Sequence, residues 1–213
     1  MSEKILQEIS DNLRNGRAPQ VKEAVEKAID EGVDLQEILN EGLIGGMSLI
    51  GERFKKNEVY VPEVLIAARA MHAGMDVLKP KLAESGVKAK GTAVIGTVKG
   101  DLHDIGKNLV CMMLEGAGFE VVDIGVNVET DTFVSEVQKN NADIVGMSAL
   151  LTTTMGAMKD TVDAFKEAGV YENVKIMVGG APITQSFADE IGAHGYGADA
   201  ASAVDVANEI LAS

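Results

Sequence analysis

The sequence predicts an α/β protein, with a four-helix bundle at the N-terminus and a doubly wound, five-stranded parallel sheet after it. Up to Pro80, apolar residues recur every three or four positions, which is the period of an amphipathic helix. Beyond Gly91, short β-branched runs alternate with helix-length segments, and such repeats form parallel sheets with right-handed crossovers. The change of period predicts two domains, residues 1–88 and 89–213.

Four helices are predicted in the first domain. Gly32 ends the second helix, and Asp34 with Glu37 has the spacing of a capping box that starts the third. Pro62 suits the first turn of the fourth helix. The predicted apolar faces are Ile5, Leu6, Ile9 and Leu13; Val21, Ala24, Val25, Ala28 and Ile29; Leu35, Ile38, Leu39, Leu43, Met47 and Ile50; and Leu65, Ala68, Met71, Met75 and Leu78.

Five strands and five helices are predicted in the second domain. In open parallel sheets, ligands bind outside the carboxyl ends of the strands, so we expect functional residues there. The predicted strands are Thr92–Thr97, Phe119–Ile124, Asp143–Met147, Val174–Val178 and His194–Tyr196. The predicted helices are Lys107–Ala117, Thr132–Asn140, Met155–Ala168, Gln185–Ile191 and Ala200–Leu211.

Composition argues against several classes of function. The formal net charge of -14 disfavours a nucleic-acid backbone or an anionic membrane surface as a partner. No apolar run approaches the ~20 residues of a membrane-spanning helix, and the N-terminus lacks the apolar region of a signal peptide. The single cysteine, Cys111, excludes an internal disulfide and fits a reducing compartment. We therefore expect a cytoplasmic protein.

The segment Gly100-Asp101-Leu102-His103-Asp104-Ile105-Gly106 directly follows the first predicted strand. A histidine there, with a carboxylate close enough to orient its ring, has the features of a metal ligand. Small residues end the third and fourth strands, in Gly146-Met147-Ser148-Ala149 and Val178-Gly179-Gly180-Ala181. Two explanations stay open for them: close packing of helix and sheet, or a slot beside the His103 loop.

Other nucleotide and metal sites fit the sequence less well. The stretch from Gly100 to Asn108 resembles a phosphate loop, but it has one intervening residue too many and Asn108 where Ser or Thr is needed. No Gly-x-Gly-x-x-Gly motif opens a helix. Zinc would need ligands at paired spacings, which the histidines and the cysteine do not have. We interpret His72, His194 and Cys111 as packing or surface residues.

At three motifs the chain resembles the corrinoid (cobalamin-binding) methyl-carrier proteins of methyltransferase systems, and the matching two domains of cobalamin-dependent methionine synthase. The resemblance covers nearly the whole chain, including the bundle. It implies a cap domain followed by a flavodoxin-like, Rossmann-type cobalamin-binding domain. The matching residues are Asp101, His103 and Gly106 for Asp-x-His-x-x-Gly, Ser148 and Leu150 for Ser-x-Leu, and Gly179 and Gly180 for Gly-Gly.

The resemblance also implies roles for residues. His103 would replace the cofactor's dimethylbenzimidazole as the lower axial ligand of cobalt, the base-off/His-on state, with Asp101 orienting its ring. Thr154 stands where methionine synthase has a serine that completes a relay to solvent, and Val61 replaces a leucine beside Phe54 in the segment that shields the methyl group. The implied cofactor-binding residues are Asp101, Leu102, His103, Asp104, Ile105, Gly106, Ser148, Leu150, Thr152, Gly179, Gly180, Phe54 and Val61.

By this resemblance the chain is a non-autonomous subunit that carries a methyl group on cobalt, alternating between methylcobalamin and Co(I). A substrate-specific methyltransferase would supply the methyl group, and a second would pass it to tetrahydrofolate or a thiol such as coenzyme M. Because Co(I) is readily oxidised, we expect anaerobic metabolism and a reductive activating protein. Methanol, methylamines, glycine betaine and aromatic methyl ethers stay open as donors. Two other classes stay open: a cobalamin-dependent regulator or photoreceptor, and the cobalamin-binding subunit of a mutase.

Overall fold

The structure is a computed structural model that describes residues 2–85 and 89–213. The chain divides into two compact units, residues 1–89 with 115–118, and residues 90–114 with 119–213. The predicted domain boundary adjoins residues 86–88, which lie outside the described residues, so it stays a prediction. Within the described ranges, no helix is both long and apolar enough to cross a membrane.

The first unit is helical, and its third predicted helix is a composite. Asp34 caps its N-terminus as the sequence predicts, since its Oδ1 accepts hydrogen bonds from the N–H groups of Gln36 (2.9 Å) and Glu37 (3.1 Å). Among the described residues, no return bond from the Glu37 side chain completes the predicted capping box. A π-helical segment interrupts it, and apolar spacing alone does not distinguish a π-turn from an α-turn. The elements are α1 (Ser2–Arg14), α2 (Ala18–Asp30), α3 (Leu35–Glu37), the π-helix (Ile38–Ile44), α4 (Gly45–Lys55) and α5 (Val61–Ser85).

The core of the helical unit is formed by most of the predicted apolar positions. Leu65 is an exception, since it is exposed on α5, and Ile29, Leu35 and Met75 are only half-buried. The prediction failed at these positions because the apolar stripe on each helix is wider than the surface that its neighbours cover. The largest fully buried side chains are Ile9, Leu13, Ile38, Leu43, Met47, Ile50, Met71 and Leu78.

The second unit is a five-stranded parallel sheet in the order β2-β1-β3-β4-β5, which confirms the predicted fold class. The chain runs from β1 outward to β2 and then returns to the other side of β1, so the topology switches between β1 and β3. The strands are β1 (Thr92–Thr97), β2 (Glu120–Asp123), β3 (Ile144–Ser148), β4 (Lys175–Gly179) and β5 (Gly195–Gly197). The helices are α6 (Ile105–Gly116), α7 (Thr130–Asn140), α8 (Met155–Glu167), α9 (Gln185–Ile191) and α10 (Ala200–Ala212).

Strand register places one residue from each of four strands in a row at the carboxyl edge of the sheet. Thr97 of β1 pairs with Ser148 of β3, Ser148 with Gly179 of β4, and Gly179 with Gly197 of β5. The core beneath this edge includes Phe133, which packs close to Gly96, where a Cβ would lie 2.9 Å from the Phe133 ring. The sheet therefore presents small residues along the edge where ligands of this fold bind.

At the amino ends of the strands, directly before β5, His194 hydrogen-bonds to the backbone of β4. Its backbone N–H donates to the carbonyl of Ile176 (2.7 Å), and its ring Nδ1 accepts from the N–H of the same residue (2.9 Å). Since Nδ1 must accept, the proton of the neutral ring lies on Nε2. Burial lowers the pKa of His194, the Lys175 ammonium lowers it further, and the Glu172 carboxylate opposes both.

We expect His194 to make stability rise with pH just below the ordinary histidine pKa of about 6.5. In that range the unfolded chain binds a proton that the folded chain excludes, so the contribution is complete above it and is lost as the pH falls. Urea unfolding at about pH 5.5 and about pH 7.5 measures this difference, which should be smaller in His194→Gln. Equal pH dependence in the two proteins would show that folding does not lower the pKa of His194.

Candidate functional site

The central feature of the carboxyl edge is the Asp101 carboxylate, which is fully buried in the loop between β1 and α6. Its Oδ1 accepts hydrogen bonds from the backbone N–H of His103 (3.1 Å) and from His103 Nδ1 (2.6 Å). Its Oδ2 accepts from the N–H groups of Leu150 (2.7 Å) and Leu151 (3.2 Å) and from the Thr154 hydroxyl (2.9 Å). One carboxylate thus joins the loop after β1 to the loop after β3.

These donors determine the charge of Asp101. Burial raises the pKa of its carboxyl group, but hydrogen bonds from the N–H groups of His103 and Leu150, the His103 ring and the Thr154 hydroxyl outweigh that effect. The pKa is therefore held well below its ordinary value, and the group is an anion at neutral pH. An anionic carboxylate can only accept, so Nδ1 of His103 must carry the proton in this contact.

His103 therefore presents its other ring nitrogen, Nε2, with a free lone pair when the ring is neutral. The side chain is 51% exposed, and no hydrogen bond from the described part of the chain reaches Nε2. A ring fixed on one side by a carboxylate and open on the other has the arrangement of a metal-binding histidine. Among the described residues, no group of three or more His, Cys, Asp or Glu side chains could hold a metal ion.

Thr154 lies at the far side of the same carboxylate. It ends the 3₁₀ turn Thr152–Thr154 after β3, and only 8% of its surface is exposed. Its hydroxyl lies 2.9 Å from Asp101 Oδ2 and 2.9 Å from the carbonyl oxygen of Leu151. Because the hydroxyl has a single proton, these two acceptors share it. The structure brings Thr154, Asp101 and His103 into one chain of contacts, whereas the relay to solvent stays a prediction.

The other predicted residues of this loop are mostly open to solvent. Leu102 and Ile105, on either side of His103 and Asp104, are 72% and 78% exposed, and Leu150 is 44% exposed. Large apolar side chains at this exposure leave apolar surface for something to cover. The remaining predicted residues vary: Asp104, Gly106 and Thr152 are exposed, and Ser148 is half-buried at the end of β3.

The predicted glycines divide into two kinds. A Cβ on Gly106 would meet nothing within 4 Å, so the space in front of it is open. A Cβ on Gly180, whose φ is +130°, would overlap the carbonyl oxygen of Ala149, and one on Gly179 would lie 2.9 Å from the carbonyl oxygen of Gly197. The packing explanation thus suffices for Gly179 and Gly180, whereas Gly106 borders open space.

Phe54 and Val61 belong to the helical unit. Phe54 lies near the end of α4 and Val61 begins α5, and both are half-buried. Their predicted role in shielding a methyl group stays a prediction.

Sequence reasoning missed several groups that build the site. The N–H group of Leu151 is a backbone donor, which any residue type would supply. Thr97 and Asn127 lie at the end of a strand and in the loop after β2, where no sequence motif marks them. Lys107 was also missed: it is buried on the first turn of α6 and pairs with Asp123 at the end of β2. A buried lysine so close to the motif was not foreseeable from spacing, because Asp123 becomes its neighbour only through the pairing of β1 with β2.

Two family models, each described as a B12 binding domain, match the chain over residues 91–205 and residues 5–79. The chain is 46% identical to dimethylamine corrinoid protein 1 of Methanosarcina acetivorans, over 99% of each protein. The chain belongs to the corrinoid proteins of methyltransferase systems. Its cofactor is cobalamin or a related corrinoid, as the three motifs predicted.

Two further matches extend over nearly all of this corrinoid protein. It is 40% identical to a corrinoid protein of Desulfitobacterium hafniense, over 97% of each. It also matches a chain in the crystal structure of the methanol:cobalamin methyltransferase complex of Methanosarcina barkeri, with a TM-score of 0.88, 31% identity, and coverage of 98% of this chain and 80% of that one. These matches confirm the two-part architecture of the corrinoid protein.

The residues of the carboxyl edge fit a corrinoid. His103 offers one unpaired nitrogen, which suits a metal whose other ligands come with its own macrocycle. Leu102, Ile105 and Leu150 expose apolar side chains that could pack against a large ring, and the open space at Gly106 leaves room for a substituent.

Asp101→Asn should destabilise the corrinoid protein by at least about 2 kcal/mol, because an amide NH₂ would face either two or three of the donors that the carboxylate now satisfies. Thr154→Val is the matched control, since it removes one donor and leaves the carboxylate, and it should cost about 1 kcal/mol. Chemical denaturation of the apoprotein measures both. An Asp101→Asn protein as stable as Thr154→Val would show that the carboxylate is not the organising group.

Proposed function

We propose that this corrinoid protein shuttles a methyl group on cobalt between a substrate-specific methyltransferase and a second methyltransferase, whose acceptor is tetrahydrofolate or a thiol such as coenzyme M. The observation that carries the proposal is the Asp101–His103 pair, with Nδ1 held at 2.6 Å from the carboxylate and Nε2 left open. Activation of donor and acceptor, and reduction of oxidised cobalt, belong to partner proteins in this proposal.

In this proposal His103 Nε2 would hold the cobalt, in place of the dimethylbenzimidazole of the cofactor. The corrinoid, when bound, supplies a metal that accepts, holds and releases the methyl group. Asp101 holds the His103 ring in the tautomer that leaves Nε2 unprotonated, and its negative charge makes that nitrogen a stronger donor. Thr154 shares its proton between Asp101 and the Leu151 carbonyl, so it can tune how strongly Asp101 accepts from the ring.

A corrinoid held by His103 would need a place for its nucleotide tail beside that residue. In this proposal Gly106, Ser148, Leu150 and Thr152 would surround the tail. Open space is found at Gly106, while Gly179 and Gly180 let the neighbouring backbones pack closely. The exposed Leu102, Asp104 and Ile105 contact the corrin side of the cofactor in this proposal. The proposal also includes Phe54 and Val61 as residues that shield the methyl group.

The donor proposed for this chain is a methylamine. The dimethylamine corrinoid protein of Methanosarcina acetivorans is 46% identical to it, whereas the chain matched in the methanol:cobalamin complex is 31% identical. Reconstitution with purified methylamine and methanol methyltransferases tests this choice. Methylation of the bound corrinoid from dimethylamine, and slower or no methylation from methanol, is the expected result, and the reverse preference would contradict it.

Loading the wild-type protein with cob(II)alamin should give an EPR spectrum in which a single axial nitrogen splits each cobalt line into three. In protein labelled with ¹⁵N-histidine the splitting should become two lines, because the nitrogen then comes from His103 rather than from the cofactor's base. His103→Ala should bind the cofactor about 10–100-fold more weakly and lose the isotope effect.

The matched control is His194→Gln, which alters a histidine at the other edge of the sheet and should keep the isotope effect. A three-line pattern that does not respond to ¹⁵N-histidine would mean that the cofactor keeps its own base. That outcome would refute the His-on part of the proposal and leave corrinoid binding intact.

Gly106→Ala should lower the affinity for the nucleotide tail without lowering the stability of the fold. Because a Cβ there meets nothing within 4 Å and alanine is the better helix former, the apoprotein should be unchanged or up to about 1 kcal/mol more stable. Cobalamin affinity should nevertheless fall, since the methyl group enters the space proposed for the tail. Equilibrium binding of cobalamin and of cobinamide, which lacks the nucleotide, measures this.

Cobinamide binding should be nearly unaffected by Gly106→Ala, and Gly180→Ala gives the contrast because it should disrupt the fold itself. Unchanged cobalamin affinity in a stable Gly106→Ala protein would show that the tail lies elsewhere.

A further inference from the structure

We propose that Thr97 and Asn127 are positioning residues that hold the backbone of the His103 loop, and through it the ring nitrogen Nε2 of His103, in place. This inference rests on the proposed role of His103 as a cobalt ligand. Neither residue belongs to the three motifs, and in the described part of the chain neither side chain hydrogen-bonds to the His103 ring. Both act on the peptide groups on either side of the Asp101 carboxylate.

Thr97 ends β1 and is fully buried. Its hydroxyl donates a hydrogen bond to the carbonyl oxygen of His103 at 2.9 Å. The backbone of Thr97 is fixed independently, because its N–H donates to the carbonyl of Gly125 and its carbonyl accepts from the N–H of Val128, each at 3.0 Å. The hydroxyl therefore connects the hydrogen-bonded end of β1 to the carbonyl group of His103 itself.

Asn127 makes hydrogen bonds to the part of the loop that precedes His103, at Gly100 and Asp101. Its side-chain oxygen accepts from the N–H of Gly100 (2.8 Å), and its backbone N–H donates to the carbonyl of Asp101 (2.9 Å). Asn127 has a φ of +51°, a left-handed conformation that asparagine adopts more readily than most residues. An exposed ion pair between Lys99 and Glu129 (2.8 Å) joins the same two loops.

Together these contacts fix the backbone of residues 100–103 independently of the contacts that the His103 ring makes. The Asp101 carboxylate is anchored on the other side by the loop after β3, so the backbone hydrogen bonds decide how the ring meets it. Metal coordination tolerates deviations of only about 0.2 Å in ligand distance. Without the hydrogen bond to the His103 carbonyl, the histidine would still be present, but the position and orientation of its ring would no longer be fixed.

The test uses the two-domain protein with Thr97→Val, which keeps shape and β-branching but removes the hydroxyl, and Thr97→Ser, which retains it. In ¹⁵N-histidine-labelled apoprotein, NMR follows the Nδ1 proton that His103 donates to Asp101. We expect Thr97→Val to speed exchange of this proton about tenfold, which is the effect of losing a buried hydrogen bond, and Thr97→Ser to restore slow exchange.

The same variants loaded with cob(II)alamin give the second readout. Thr97→Val should bind cobalamin about tenfold more weakly, as for other groups that orient a metal-binding histidine, and part of its EPR signal should lack the histidine splitting. Asn127→Gly, which permits the same φ without the side-chain acceptor, should behave like Thr97→Val. Asn127→Asp, which keeps the acceptor, should behave like the wild type.

The outcomes separate this inference from the proposed function. If Thr97→Val folds with normal proton exchange and full histidine splitting, the positioning role is wrong while the ligand role stands. If Thr97→Val speeds proton exchange but even the wild type shows no histidine splitting, the positioning role is supported and the ligand role fails. Loss of splitting in Thr97→Val together with Thr97→Ser would also overturn the inference, because the hydroxyl would then be irrelevant.

Discussion

A carboxylate that is fully buried needs hydrogen-bond donors from the protein in place of water, and Asp101 accepts five hydrogen bonds from two loops. Three are backbone N–H groups, so the folded chain itself keeps the charge in place. This charge affects the chemistry of His103, because a carboxylate anion can only accept the hydrogen bond and so allows the ring only the tautomer with its proton on Nδ1. The free nitrogen of the site is therefore determined by the carboxylate of a fully buried residue.

The parallel sheet makes this arrangement possible. Asp101 and His103 follow β1, whereas Leu150, Leu151 and Thr154 follow β3, and these strands are neighbours only because the topology switches between them. Helices on both faces leave the carboxyl edge as the place where loops from different strands meet. The residues in the row from Thr97 to Gly197 have small side chains, so little side-chain volume projects from this edge. The exposed Leu102 and Ile105 add apolar surface beside it.

Much of the fold follows from local patterns in the chain. The strand Thr92–Thr97 and the helix Gln185–Ile191 are found with the bounds that the sequence predicts, because turn residues and a change of period mark both ends. The π-helix at Ile38–Ile44 was not predictable, since its apolar spacing is also that of an α-helix. The His103 motif itself was readable, but the partners Leu151, Thr97 and Asn127 depend on long-range pairing that no local pattern encodes.

The central claim is that His103 Nε2, oriented by Asp101, binds the cobalt of the corrinoid. A crystal structure of the cobalamin-loaded protein, with anomalous scattering measured at the cobalt absorption edge, tests it most directly. We predict an anomalous peak about 2.0–2.3 Å from His103 Nε2, with the dimethylbenzimidazole detached and the 2.6 Å contact between Nδ1 and Asp101 retained. A peak whose lower ligand is the cofactor's own base, with His103 unbound, would contradict the claim.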